Sequence, residues 1–208
     1  NRSWDLCVVF YGESDAKAAE LEQLSTRFFR RKGGKYQNLH ALWRQHADLL
    51  SDYEQVWVVD DDIRIQPKQV DELFEIAKRW DLWVCQPAFS PKGKVSHAVT
   101  VRDPSSDLLR YVNFVEVTCP LFRRDKLEVF LDQFDGRLAG WGVDHWFSHV
   151  LKSQLYAKFA IIDSVEVTNP PDAVKGGREV DRLQSTEVRR QHWETTRWRL
   201  GVSETRPR

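Results

Sequence analysis

Between Asp5 and Phe89 short apolar runs alternate with helix-length amphipathic ones, and this order restricts the fold more than any other feature of the chain. "DLCVVFY" (residues 5–11) is β-branched and aromatic and stops at Gly12, as a buried strand does before a turn. "ESDAKAAELEQL" has a helical composition, and "STRFFRRKGG" after it is more extended. From Tyr36 to Leu50, Leu39, Leu42, Trp43 and the His46–Leu50 stretch recur at three-to-four spacing, which predicts a helix starting just after Gly33 and Gly34. Gln55 to Val59 reads as a strand. "PKQVDELFEIAKRW" reads as a helix with Pro67 at its start and Val70, Leu73, Phe74 and Ala77 on one face, and "LWVCQPAF" as a further strand. Strand, helix, strand, helix, strand predicts an α/β fold, Rossmann-like, with a central mostly parallel mixed sheet flanked by helices.

The second half is more mixed. "LLRYVNFVEVTCPLF" (residues 108–122) reads as one long strand, "RDKLEVFLDQF" as an amphipathic helix, and "GWGVDHWFSHVLKSQL" as turn glycines leading into a helix. "KFAIIDSVEVTNPP" is a last strand closed by two prolines, followed by a polar loop and a charged tail helix. With 208 residues and neither repeat nor low-complexity linker, one domain over 1–208 is expected.

Lys and Arg number 31 and Asp and Glu also number 31, so no net field draws the chain to nucleic acid or to a membrane surface. Cys7, Cys85 and Cys119 sit in apolar runs without metal-ligand spacing and read as buried reduced thiols, which favours a reducing, cytoplasmic compartment. No apolar run is long enough for a membrane span. The chain begins at Asn1 and contains no Met, which reads as a processed or partial chain.

Three segments can carry chemistry. In "EQVWVVDDDIRI" an apolar strand delivers Asp60, Asp61 and Asp62 to one point, where three anions repel one another unless something positive sits among them. In an extended segment Asp60 and Asp62 would point the same way, toward one hard divalent cation, Mn²⁺ or Mg²⁺, with Asp61 left for a backbone or ribose hydrogen bond. An acidic turn before the Pro67 helix is the plain alternative. In "RFFRRKGGKYQN", Gly33 and Gly34 between Lys32 and Lys35 would let backbone N–H groups and two ammonium groups approach phosphates, although the stretch is no P-loop. In "GRLAGWGVDHWFSHV", Trp141 between two glycines presents an aromatic face and Asp144 opens a helix, as either its cap or a general base. His145 and His149, four apart on that helix, read as packed or solvated.

The series "RKGGKY", "VWVVDDDI", "SHAVTVRDP", "RYVNFVEVTCPLFRRDKL", "GWGVDHWF" and "FAIIDSVEVTNP", in this order, resembles the domain-of-unknown-function family seven-hundred-and-seven, related to metal-dependent glycosyltransferases of the GT-A fold. The resemblance implies a single GT-A-like domain: residues 1–100 bind a nucleotide-sugar donor, 101–180 bind the acceptor and carry catalysis, and 181–208 form a helical tail. It implies donor contacts at Lys32, Gly33, Gly34, Lys35, Asp60 and Asp61, and a divalent cation at Asp60 and Asp62. Asn169 stands where relatives would be expected to place a histidine ligand. The "GWGVD" loop implies Asp144 as the base that activates a glycan or other hydroxyl acceptor, with Glu116 as second candidate and Trp141, Gly142 and His145 on the acceptor side. An upstream anchor would move the expected compartment to the Golgi lumen. Two rivals are a D-x-D phosphatase, which wants Thr or Val where Arg64 stands, and a non-catalytic carbohydrate-binding domain derived from a transferase.

Overall fold

The computed structural model describes residues 3–172, 179–202 and 207. The first half follows the expected order: β1 (Cys7–Phe10), α1 (Asp15–Leu24), β2 (Arg27–Arg30), α2 (Lys35–Gln45), β3 (Gln55–Trp57), α3 (Pro67–Arg79) and β4 (Val84–Phe89). Helix α1 starts on Ser14, whose side chain accepts from Lys17 N–H, and α3 starts on Pro67. The second half contains β5 (Leu109–Tyr111), β6 (Leu121–Arg123), α4 (Arg124–Gln133), α5 (Val143–Val150), β7 (Phe159–Val167), α6 (Glu179–Leu183) and α7 (Thr186–Leu200).

The sheet departs from the expected parallel one. Its five strands run in the order β3-β6-β4-β7-β5, and only β4 and β7 are parallel neighbours. The strand–helix alternation that predicts a parallel sheet is met by β1-α1-β2, which forms a separate two-stranded parallel sheet. The later strands enter by antiparallel pairing. The expected long strand over 108–122 is broken into β5 and β6, with an irregular buried segment between them. Helix α2 ends at Gln45 rather than Leu50, and Cys7, expected to be buried, is exposed, whereas Cys85 and Cys119 are buried; all three are free thiols.

Strand alternation divides the core between two faces. Val84, Phe122, Phe159 and Ile161 meet Leu42 of α2, Leu127 and Phe130 of α4, and Trp146 and Phe147 of α5. Cys85, Leu121, Ala160 and Ile162 face Leu73, Ile76 and Ala77 of α3. The segment expected as a charged tail helix is part of the first core: Trp193 of α7 is fully buried in it. Its indole lies over Gly142, the residue before α5, whose φ is +81°.

A methyl group at Gly142 would overlap the Trp193 ring, and left-handed backbone costs an L-residue roughly 1–2 kcal/mol before any overlap. Gly142→Ala is therefore expected to lower stability by more than about 2 kcal/mol, and Trp193→Ala by roughly 3–5 kcal/mol. Urea unfolding midpoints check both; a Trp193→Ala loss below about 1 kcal/mol would mean that α7 is a dispensable tail.

Candidate active site

The site is built around residues 113–120, which are buried apart from Val117 at intermediate exposure. Beyond β3 the pairing with this segment continues irregularly: Val58 N–H donates to Pro120 O at 2.9 Å and Asp60 N–H to Thr118 O at 3.0 Å. These two bonds carry the strand register up to the acidic turn. There the chain does not stay extended. Ile63 N–H donates back to Asp60 O at 3.3 Å, so Asp60, Asp61 and Asp62 lie in a turn. The alternation that would aim Asp60 and Asp62 the same way does not operate within a turn, and Asp60 and Asp61 take separate partners.

Asp60 Oδ1 lies 2.6 Å from Lys35 Nζ, and Asp61 Oδ2 accepts from the Tyr11 hydroxyl at 2.7 Å. Lys35, the first residue of α2, also donates to Val117 O and Thr118 O at 2.7 Å each and reaches Val58 O at 3.3 Å. An ammonium has three N–H bonds, and all of Lys35's close contacts are protein oxygens. The neighbouring glycine turn is also committed: Gly34 N–H donates to Gln37 Oε1 at 2.8 Å, and a Cβ on Gly34 would stand 3.1 Å from Ala139 Cα. Lys32 differs, being held among the described residues by an ion pair with Glu13 in which both side chains are exposed.

Asn169 adjoins the acidic turn through the Arg64–Thr168 bridge, which sets it across from Ile63, and its carbonyl accepts from Lys94 N–H at 2.7 Å. Among the described residues no three His, Cys, Asp or Glu side chains form a group able to hold a metal ion. Asp60 is thus engaged by Lys35 and Asp61 by Tyr11, whereas Asp62, expected as a metal ligand beside Asp60, keeps its Oδ1 buried without a hydrogen-bond partner.

On the other side of residues 113–120 lie the expected catalytic acids. Asp144, in the first turn of α5, is 7% exposed and accepts from its neighbour His145 N–H at 2.9 Å and from Val117 N–H. Burial, then the charge on Glu116, pushes its carboxyl up to about pKa 6, against the lowering effect of those two amides and of His97. Glu116, 5% exposed, accepts from the Thr118 hydroxyl at 2.6 Å through Oε1, while its Oε2 is buried without a hydrogen-bond partner. Its backbone N–H donates to Gln86 Oε1 at 2.6 Å. Trp141 is 47% exposed, and His145 lies between Phe114 and Trp193, with ring centroids 5.3 and 5.9 Å away.

The two halves meet at Tyr36, to which the sequence reading gives no role. Its hydroxyl is buried without a hydrogen-bond partner, and burial, then the charges on Asp144 and Asp60, hold it protonated well above the usual tyrosine range. Gln86 and His97 also escape that reading. For Gln86 a signal existed: it is the one amide in the wholly buried strand β4, and buried polar groups need partners. For Tyr36 and His97 the local sequence gives no equivalent signal.

The family model for "Protein of unknown function (DUF707)" matches residues 39–202, and the chain belongs to this family. The match starts after Lys35 and Tyr36 and runs through α7, whereas the motif resemblance spans Asp5 to about Gly177. No curated protein matches the chain.

Because Asp144 binds its proton more tightly folded than unfolded, the folded state holds the extra proton between about pH 4 and 6, and stability falls as pH rises through that window. A shift of this size corresponds to about 3 kcal/mol. Asp144→Asn should therefore gain stability relative to the parent between pH 4 and 7, by up to about 3 kcal/mol, less whatever the amide loses toward Val117 N–H. Paired thermal melts at pH 4 and 7 check this; a pH-independent difference would show that Asp144 titrates normally.

Proposed function

We propose that this protein is a glycosyltransferase that moves a sugar from a nucleotide-sugar donor to a hydroxyl of a glycan or other acceptor, inverting the anomeric carbon. The observation that carries the reading is the buried Asp144 carboxyl, raised to about pKa 6 by burial and the charge on Glu116, together with a Glu116 oxygen and a Tyr36 hydroxyl that are buried without hydrogen-bond partners. A base with that pKa is stronger than an ordinary carboxylate and still mostly ionised at pH 7. Asp144 takes the proton of the acceptor hydroxyl while the acceptor oxygen attacks the anomeric carbon. The bond from that carbon to the donor phosphate breaks, and the phosphate leaves with the electron pair. Glu116 Oε2 and Tyr36 O–H supply an acceptor and a donor to orient the incoming hydroxyl. Lys32, held by exposed Glu13, can exchange that carboxylate for a diphosphate, and exposed Trp141 offers a face for a sugar ring. No step runs through a divalent ion, since Lys35 and Tyr11 already engage Asp60 and Asp61.

The commitment of Gly34 N–H and Lys35 to protein acceptors favours a second reading, a carbohydrate-binding domain of transferase ancestry in which phosphate contacts have been lost. A panel of nucleotide sugars with hydroxyl acceptors separates the two. For a transferase, Asp144→Asn should cut transfer ~10²–10⁴-fold with donor binding kept. The parent's kcat/KM should fall about tenfold per pH unit below roughly pH 6. Transfer by Asp144→Asn within about tenfold of the parent would remove Asp144 as base. Glycan binding without turnover of any donor would establish the second reading.

A further inference from the structure

We propose that the Lys35 ammonium is the resident cation of the acidic turn, standing where a divalent ion would and holding Asp60 and the Val117–Thr118 backbone together without a metal. Its surroundings are those of a bound cation: one carboxylate at 2.6 Å, two carbonyls at 2.7 Å and a third at 3.3 Å. These oxygens come from two separate segments, 58–60 and 117–118, so the ammonium is a cross-link between them. The residue also sits against its own helix. A lysine in the first turn of α2 faces the positive end of the helix dipole, and α2 carries no acidic residue in that turn to offset it. The oxygen cage accounts for a cation at so unfavourable a position. Thr118 O would keep its bond from Asp60 N–H if the ammonium were lost, whereas Val117 O and Val58 O would lose the donor that Lys35 gives them. The same geometry takes Lys35 out of direct phosphate binding, which its place in the glycine turn suggests.

The inference does not depend on the transferase reading, because its test measures cation binding and needs no turnover. Mn²⁺ binding to the purified full chain is followed by the loss of the free-ion paramagnetic resonance signal. The parent is expected to bind no Mn²⁺ in a manner sensitive to Asp60→Asn. Lys35→Met, which keeps the bulk of the stem and removes the charge, should gain Mn²⁺ affinity at least ~10-fold, because Asp60 and the carbonyls are then an open oxygen set. Stoichiometric Mn²⁺ binding by the parent that Asp60→Asn abolishes would overturn the proposal, as would a folded Lys35→Met that gains none. Should Lys35→Met fail to fold, the parent decides alone. Its Lys35 ammonium, assigned by the signal missing in Lys35→Arg, should give a slowly exchanging ¹H–¹⁵N resonance that Mn²⁺ leaves sharp. Broadening of that resonance at stoichiometric Mn²⁺ would place a metal at the turn and end the proposal.

Discussion

The constraint on which the site depends is the hydrogen-bond accounting of the buried, irregular segment 113–120. A loop shielded from water must find protein partners for its backbone, since each buried orphan costs on the order of 1–3 kcal/mol. Here the partners are largely side chains. Gln86 accepts from Glu116 N–H, Asp144 accepts from Val117 N–H, Lys35 donates to Val117 O and Thr118 O, and Trp57 Nε1 donates to Cys119 O. The same side chains that could do chemistry are therefore the ones that hold the loop in place. This explains how α2, β3, β4 and α5, distant in sequence, come together around one segment.

A second balance sets the charge state of Asp144. Asp144 opens α5, where the helix dipole and two amide donors favour the ionised form, an effect worth roughly 0.3–2 kcal/mol for the dipole. Burial and the neighbouring Glu116 act the other way and win, because desolvating a carboxylate can shift it by several units. The cap reading of Asp144 and the base reading are thus not alternatives. One carboxylate satisfies backbone donors and, because it is buried, is a stronger base than a cap on the surface would be. The charge on His97 acts on it in the same direction as the amides, and His97 rests against Phe114 with ring centroids 4.6 Å apart.

Much of this fold is legible in the sequence, for identifiable reasons. Helices α1 to α4 and strands β1 to β4 and β7 carry local signals: a capping Ser14, Pro67 at a helix start, β-branched runs, and three-to-four apolar spacing. Strand direction carries none, so a sheet with one parallel neighbour pair reads as mostly parallel. The break between β5 and β6 is hidden because residues 112–120 are rich in β-branched and apolar residues and mostly buried, as a strand would be, although they form no ladder. Asp144 and Glu116 are visible as candidates, while Tyr36 is not, since its importance lies in facing two carboxylates from different halves of the chain. Trp193 is concealed by its charged neighbours, and only packing against Gly142 shows α7 to be core.

The acidic turn shows that backbone conformation decides where three neighbouring carboxylates point. Three consecutive carboxylates suggest convergence on one ion only if the backbone aims them together, and a chain bent back from Ile63 N–H to Asp60 O does not. Once separated, each anion needs only its own donor. An ammonium serves Asp60, and a phenol from the start of the chain serves Asp61. A neutral hydroxyl relieves less electrostatic energy than a cation, yet Asp61 is exposed to water and needs little relief, whereas Asp60 is only partly exposed and receives the full charge. Of these two, the carboxylate with less solvent has the stronger counter-charge. That ordering is what a self-contained ion pair requires, and it links the acidic turn directly to the same ammonium that holds the Val117–Thr118 backbone near Asp144.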